Sequence, residues 1–282
     1  MSIASEDREA TRRWRKLTPL DIVAGLAITL LVLLAIVVIA PGIFSAKNPT
    51  ALDITARLAG PSAAHPLGTD ELGRDILARV AYGARNSVGV SLLIVAIAVV
   101  VGLVWGTIAG WVGGVIDSAM MRIVDLFLAF PAFVLAMALA AALKPSLGSV
   151  LIALAAVWWP AYARMVRGAV LALRKSQHVT AARALGLPTL QIIWRHVLRF
   201  VWRDINVRAT ADVGYALMAV TALSFLGLGA QSPTPEWGLL IRSSSAYFYV
   251  AWWYMAFPGL AVALTAVSLS ILGEWIAARP GK

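Results

Sequence analysis

The chain has no cysteine and only three histidines, His65, His178 and His196, among 282 residues. A disulfide framework or a cysteine-based metal site is therefore excluded. The loop G-x-x-x-x-G-K-[ST] is absent, so this chain has no nucleotide cradle of that type. H-E-x-x-H and G-x-S-x-G are absent too, which removes the simplest metalloprotease and serine-hydrolase readings. Charge is also scarce. Asp, Glu, Lys and Arg make up 13% of residues, with 14 acids against 24 bases. A net charge of +10 on a soluble domain would suggest nucleic acid. Here the bases cluster in particular loops, the pattern of membrane topology, and no nucleic-acid partner is expected. Apolar residues take the space: 60% of the chain, with a mean hydropathy of +0.82. That composition calls for several membrane spans.

The expected fold is all-α and polytopic, in two regions: a cytoplasmic N-terminal segment, 1–21, and a transmembrane domain, 22–282. Six spans are expected, at about 22–40, 88–109, 123–143, 150–173, 209–230 and 251–271, with a cytoplasmic loop at 174–199. TRRWRKL near the start echoes a twin-arginine export signal, but the 19-residue run from Ile22 to Ala40 exceeds a signal h-region and further spans follow. It reads as an uncleaved first span.

Between the first two spans, Thr69 or Asp70 can cap a surface helix striped by Leu72, Ile76, Leu77 and Val80. The acids Asp70, Glu71 and Asp75 lie within helical reach of Arg74 and Arg79, so a salt-bridged, solvated face is favoured over a cation site. Gly102, Gly106, Gly110 and Gly114 recur every four residues and offer a close-packing face, with a hinge as the alternative. Arg122 and Asp125 can pair at the start of the third span, which Pro131 should kink; a proton-relay role for Asp125 is the alternative. Asp204, Arg208 and Asp212, spaced i, i+4, i+8, form a charge ladder that either anchors the fifth span or gates a pathway. After it, the Gly- and Pro-dense run through Gln231 and Trp237 breaks the helix and is a candidate outer gate, with an ordinary loop as the alternative.

The longest late polar interruption is 174–199, RKSQHVTAARALGLPTLQIIWRHVLR. It reads as two short helices. The first carries Val179, Ala182 and Leu185 on one face, and Gly186 sits where a helix C-terminus needs φ > 0. Pro188 suits the first turn of a second helix bearing Leu190, Ile193, Trp194 and Val197. Ala181 and Ala182 would form a small-residue face open to another protein; a helix lying on the membrane surface is the alternative.

The order Ala181-Ala182, three residues, Gly186, ten residues, Val197-Leu198 resembles the EAA loop of membrane subunits of bacterial binding-protein-dependent ABC importers. Thr180 stands where that family usually has Glu, and Arg199 where it usually has Pro. HPLGTDELGRDIL, MRIVDLFLAFP and SFLGLGAQSPTPEWG resemble strings of its peptide/nickel subfamily, in particular the C-type subunits of dipeptide and oligopeptide permeases. The resemblance implies the type I importer permease fold and a non-catalytic subunit moving by alternating access. It further implies a second permease subunit, two ATPase subunits that use ATP and Mg while this chain binds no cofactor, and an extracytoplasmic substrate-binding protein. It makes Thr180, Ala181, Ala182, Gly186, Val197 and Leu198 the ATPase-coupling loop.

Of the 24 Lys and Arg, 17 fall on the side proposed as inner and seven on the other. This bias places 174–199, and both termini, in the cytoplasm; the resemblance implies a bacterial inner membrane. An ion-driven carrier would want intramembrane acids or paired broken helices, which the pattern does not favour. The resemblance implies di- and oligopeptides as the expected cargo, with nickel, glutathione or another small solute as alternatives; no predicted span holds histidine or cysteine, which speaks against a dedicated nickel path.

Overall fold

The computed structural model describes residues 19–279. The expected segment 1–21 lies almost wholly outside them. The described residues form ten α-helices and no strand. They are α1 (Pro19–Ile39), α2 (Ile76–Val112), α3 (Gly114–Leu128), α4 (Ala132–Ala142) and α5 (Leu147–Arg174), followed by α6 (Gln177–Ala184), α7 (Thr189–Ile192), α8 (Arg199–Phe225), α9 (Trp237–Ser244) and α10 (Trp252–Ala278). Among the described residues, α1, α2, α5 and α10 are long and apolar enough to cross a membrane. The bent pair α3–α4 makes a fifth such unit. α8, the expected fifth span, starts ten residues earlier than expected and carries Arg199, Arg203, Asp204, Arg208 and Asp212 in its first half.

The centre is the pair α2–α5. Gly102, Gly106 and Gly110 face α5 at backbone distance. A Cβ added to Gly106 would lie 2.8 Å from Val166 Cβ, and one on Gly110 would lie 2.9 Å from Val170 Cβ. At Gly102 it would meet the Ala163 nitrogen at 2.9 Å. Gly114 does not continue this face. It has open space around it and stands with Gly113, φ +75°, at the break between α2 and α3. The α8 residues Val213, Ala216, Val220 and Leu223 pack with Val150, Ala153, Leu154 and Val157 of α5 and Ile94 and Val95 of α2 to form the main core.

The third span is not one kinked helix. α3 and α4 meet at 84° across residues 129–131, with Pro131 capping α4. Proline cannot donate within a helix and its ring restricts the residue before it, so the chain breaks here instead of bending. The expected Arg122–Asp125 pair does not form. Asp125 pairs with Arg164 of α5, and Asp117 receives two hydrogen bonds from Arg167, at 2.5 and 2.6 Å. Both pairs tie α3 to α5.

Residues 40–75 fold into a cap over the N-terminus of α2. Asp75, rather than Thr69 or Asp70, caps the helix by accepting from the Ala78 nitrogen, and α2 runs unbroken from there into the span. Asp70, Arg74, Asp75 and Arg79 are all buried. Arg74 Nε donates to Asp70 at 2.6 Å and its Nη2 to Glu71 at 2.9 Å, while Arg79 approaches Asp70 at 3.4 Å. The solvated face read from the sequence is thus a covered network. The covering chain is held by Leu58 N to Asp70 O and Asp53 N to Leu72 O, and by Gly73, whose φ of +73° lets Asp53 lie directly against it.

Candidate coupling site and membrane face

α6 starts after Ser176 and ends at Gly186, which has φ +74°. That value is open to glycine and strained for a β-branched residue. Gly186 N donates to Arg183 O at 2.9 Å and Leu187 N to Ala182 O at 3.2 Å, closing the last turn. Pro188 then caps α7. From there the helix does not stop. Thr189 runs through a π turn, Ile193–Leu198, directly into α8. The second short helix read from the sequence is therefore the start of a span-length helix.

The π turn sets which side chains face inward. Ile192 and Val197, five apart, are both buried, followed by Val201 and Ile205 at ordinary four-residue steps. They pack with Val179 and Ala182 of α6 against Val166 and Val170 of α5. Ala182 is 3% exposed and so belongs to the chain's own core, not to an open docking face. Val197 is fully buried and Leu198 half-buried, so both anchor the loop. Of the expected apolar stripe, Leu185, Leu190 and Trp194 point outward, at 81%, 67% and 64% exposure. Thr180, Ala181, Ala184 and Gly186 are exposed as well, so small and apolar residues crowd the surface of this segment. Such a patch, rimmed by Arg183, is the ordinary mark of a protein contact. Its mount is rigid. Arg183 stacks on Trp111 at 4.8 Å, and Arg174 donates to Trp111 O at 2.7 Å, fixing α6 and the end of α5 to the end of α2.

Higher in the bundle, Asp212 is buried and accepts from Tyr162 Oη at 2.6 Å. Arg208 lies 3.3 Å from Asp212 and 5.3 Å above the Tyr162 ring. The ladder closes only over this pair; Asp204 is exposed and forms no ion pair among the described residues. The geometry is that of an anchor between α8 and α5. Tyr162 was missed in the sequence, where the signal was a phenol inside a span that had to find a partner.

The two outer-loop residues proposed as pathway groups are occupied otherwise. Trp237 is 1% exposed, with its indole donating to Val80 O at 2.9 Å, so it cannot line an open path. Gln231 is exposed and donates to the carbonyls of Gly229 and Gly227, at 3.0 and 3.3 Å. Between them, Glu236 is fully buried. It caps α9 by accepting from Gly238 N and Leu239 N and accepts from Ser87 Oγ of α2 at 3.0 Å. Among the described residues no three His, Cys, Asp or Glu side chains come together as a metal site.

The family model of the binding-protein-dependent transport system inner membrane component matches residues 102–282. This chain belongs to that family. Among curated relatives of this permease are a probable D,D-dipeptide transport system permease protein of Escherichia coli K12 and a dipeptide transport system permease protein of Alkalihalophilus pseudofirmus. The first is 42% identical, over 92% of this chain and 86% of the relative; the second is 40% identical, over 95% and 86%. A nickel transport system permease protein of Escherichia coli K12 is 36% identical, over 88% of this chain and 90% of the relative. Among solved structures, a chain of the inward-facing MetNI methionine ABC transporter shares the fold with a TM-score of 0.51 at 19% identity, covering 67% of this chain and 92% of that one. The permease is a non-catalytic membrane subunit of an ABC importer.

Proposed function

We propose that this permease forms half of the translocation path for di- and oligopeptides and couples to ATPase subunits through α6. A second permease subunit completes the path. Two ATPase subunits bind and hydrolyse ATP with Mg, and an extracytoplasmic binding protein delivers the cargo. The observation that carries the reading is the exposed residues Thr180, Ala181, Ala184, Leu185, Leu190 and Trp194 on α6 and the turns that follow it, whose buried side chains are locked to α5. Closure of the ATPase pair pushes α6, and α5 with its partners rocks as a unit between inward- and outward-open states. Peptide cargo is favoured over nickel because the two dipeptide permeases are the more similar relatives and because α1, α2, α5 and α10 contain no histidine or cysteine.

Ala181 tests the contact, since it is exposed where Ala182 is not. Ala181→Trp should insert and fold normally, yet lose the ATPase subunits on purification and with them substrate-stimulated hydrolysis and uptake. Full uptake with the ATPases still bound would end the proposal. Ala182→Trp is the contrasting variant; it should lower the permease's own stability by about 1–3 kcal/mol through overpacking.

Orientation has its own test. The cysteine-free chain permits single-cysteine labelling without background. Ala184→Cys should react with an impermeant thiol reagent only in inside-out vesicles. Tyr249→Cys, at a position 99% exposed between α9 and α10, should react only from outside intact cells. The reverse pattern would invert the topology.

A further inference from the structure

We infer that Arg208 and Asp204, on the exposed flank of α8, form a subsite of the translocation path that holds the two charged ends of a short zwitterionic peptide. The inference rests on the peptide reading proposed above.

Depth is the first argument. α5 has 28 residues, with both of its ends among the described residues. Its length of about 42 Å exceeds the hydrocarbon thickness of a bilayer, about 30 Å. Tyr162 is 15 residues from the start of α5 and 12 from its end. Wherever the surplus length stands, Tyr162 lies at least about 6 Å inside the hydrocarbon. The Arg208 guanidinium, 5.3 Å from the Tyr162 ring, is held at that level. A cation at this depth faces protein or a water-filled path, not acyl chains.

The contrast between exposed faces is the second. On α2 from Leu92 to Ile108, and on α10 from Leu260 to Val267, every exposed residue is apolar. Those faces suit lipid. On α8 the exposed line runs through Asp204, Arg208, Tyr215 and Met218, at i, i+4, i+11 and i+14, so two charges and a phenol share one flank. That flank suits a polar path.

The third argument is which polar atoms are left over. Arg208 Nε serves Asp212 at 3.3 Å, and Asp212 also accepts from Tyr162 Oη. The two terminal nitrogens of Arg208 donate no hydrogen bond among the described residues, and its side chain is 42% exposed. Arg164, the other exposed arginine near this level, is already paired with Asp125. Asp204 is exposed one turn before Arg208 and forms no ion pair among the described residues. The anchor to α5 therefore uses one edge of the guanidinium and leaves its outer fork, which matches a carboxylate. Asp204 matches an ammonium group. The two positions are about 6 Å apart along the helix, and a dipeptide spans about 7 Å. A zwitterion meets an opposite charge at each end, whereas a simple anion or cation meets one like charge.

Thiol labelling of the intact transporter, permeases with ATPases, in nanodiscs without nucleotide or binding protein tests this. Ala211→Cys places a thiol three residues beyond Arg208, at a half-buried position on the same flank. Val100→Cys is the control; it is 60% exposed on α2 and two residues from Gly102, which packs against Tyr162, so it lies at the same depth. A hydrophilic methanethiosulfonate, read on this chain by mass spectrometry, should modify position 211 and spare position 100. Dialanine at about 10 mM should slow the reaction at 211 about threefold, as for a site of millimolar affinity. Dialanine amide, which lacks the carboxylate, should not slow it, and A211C/R208Q should react without protection by either. Equal protection by the amide, or protection that survives R208Q, would overturn the site. No reaction at 211 in the assembled complex would show the flank covered by the second permease and would also overturn it. Uptake of dialanine by the wild-type transporter without protection at 211 would sink the subsite and leave the peptide reading standing; absence of both would sink the two together.

Discussion

Asp70→Ala should cost about 3–5 kcal/mol of stability, the largest loss expected from a single substitution in this permease. Asp70 is fully buried and is the common partner of Arg74 and Arg79, themselves 2% and 1% exposed. It also accepts from the Leu72 and Arg74 nitrogens, at 2.9 Å each, so it fixes the turn that leads into α2. Removing the carboxylate leaves two guanidinium groups inside the cap with Glu71, which already bonds Arg74, and Asp75, which is engaged by Lys47 and His65. Such a pair contributes little when complete and costs much when broken, because desolvation of the remaining charge is no longer offset. Thermal unfolding in detergent, followed by tryptophan fluorescence, measures the loss. Lys144→Ala, at an exposed position, is the control and should stay within about 0.5 kcal/mol of wild type. Equal unfolding midpoints for the two variants would mean that the network is solvated after all.

Gly106→Leu should separate α2 from α5. A Cβ at this position already meets Val166 Cβ at 2.8 Å and the Arg167 nitrogen at 2.9 Å, before any further side-chain atoms are placed. The near neighbours include backbone, which cannot move aside as a long side chain can. Overpacking of a tight core costs about 1–3 kcal/mol, and here the upper end is expected. Gly89→Leu is the matched control, since nothing lies within 4 Å of a Cβ there. Expression of folded permease and its unfolding temperature should fall for position 106 and hold for position 89. If both hold, α2 and α5 are not packed at backbone distance.

The elements most legible in the sequence were those fixed by a single residue's chemistry. Gly186 at a helix end needed only its freedom at φ > 0, and the glycine repeat at 102, 106 and 110 needed only its spacing. Ala182 was misplaced because the face of a short helix is decided by its register against neighbours. The π turn at 193–198 shifted the register of α7 against α8 by one residue, which no periodic pattern reveals, and sent Leu190 and Trp194 outward. The Asp70 network looked like a solvated face because its cover comes from residues 40–60, an irregular stretch without periodicity. Glu236 gave no signal at all, since burial of a lone acid depends on Ser87 and on the helix end that it meets.

The glycine contacts between α2 and α5 also bear on how force moves through the permease. Two helices separated by side chains can slide, because rotamers yield. Two helices touching backbone to backbone, with Val166 and Val170 set into the gaps left at positions 106 and 110, are keyed together like a rack and its teeth. Arg174 of α5 and Arg183 of α6 both hold Trp111 at the end of α2. Under the coupling proposed above, a thrust received at α6 would not be absorbed as slip between α2 and α5 and would swing both as one beam. The compliance has to sit elsewhere, at the 84° joint between α3 and α4 and along α1, which buries only Ala24 and Ala27.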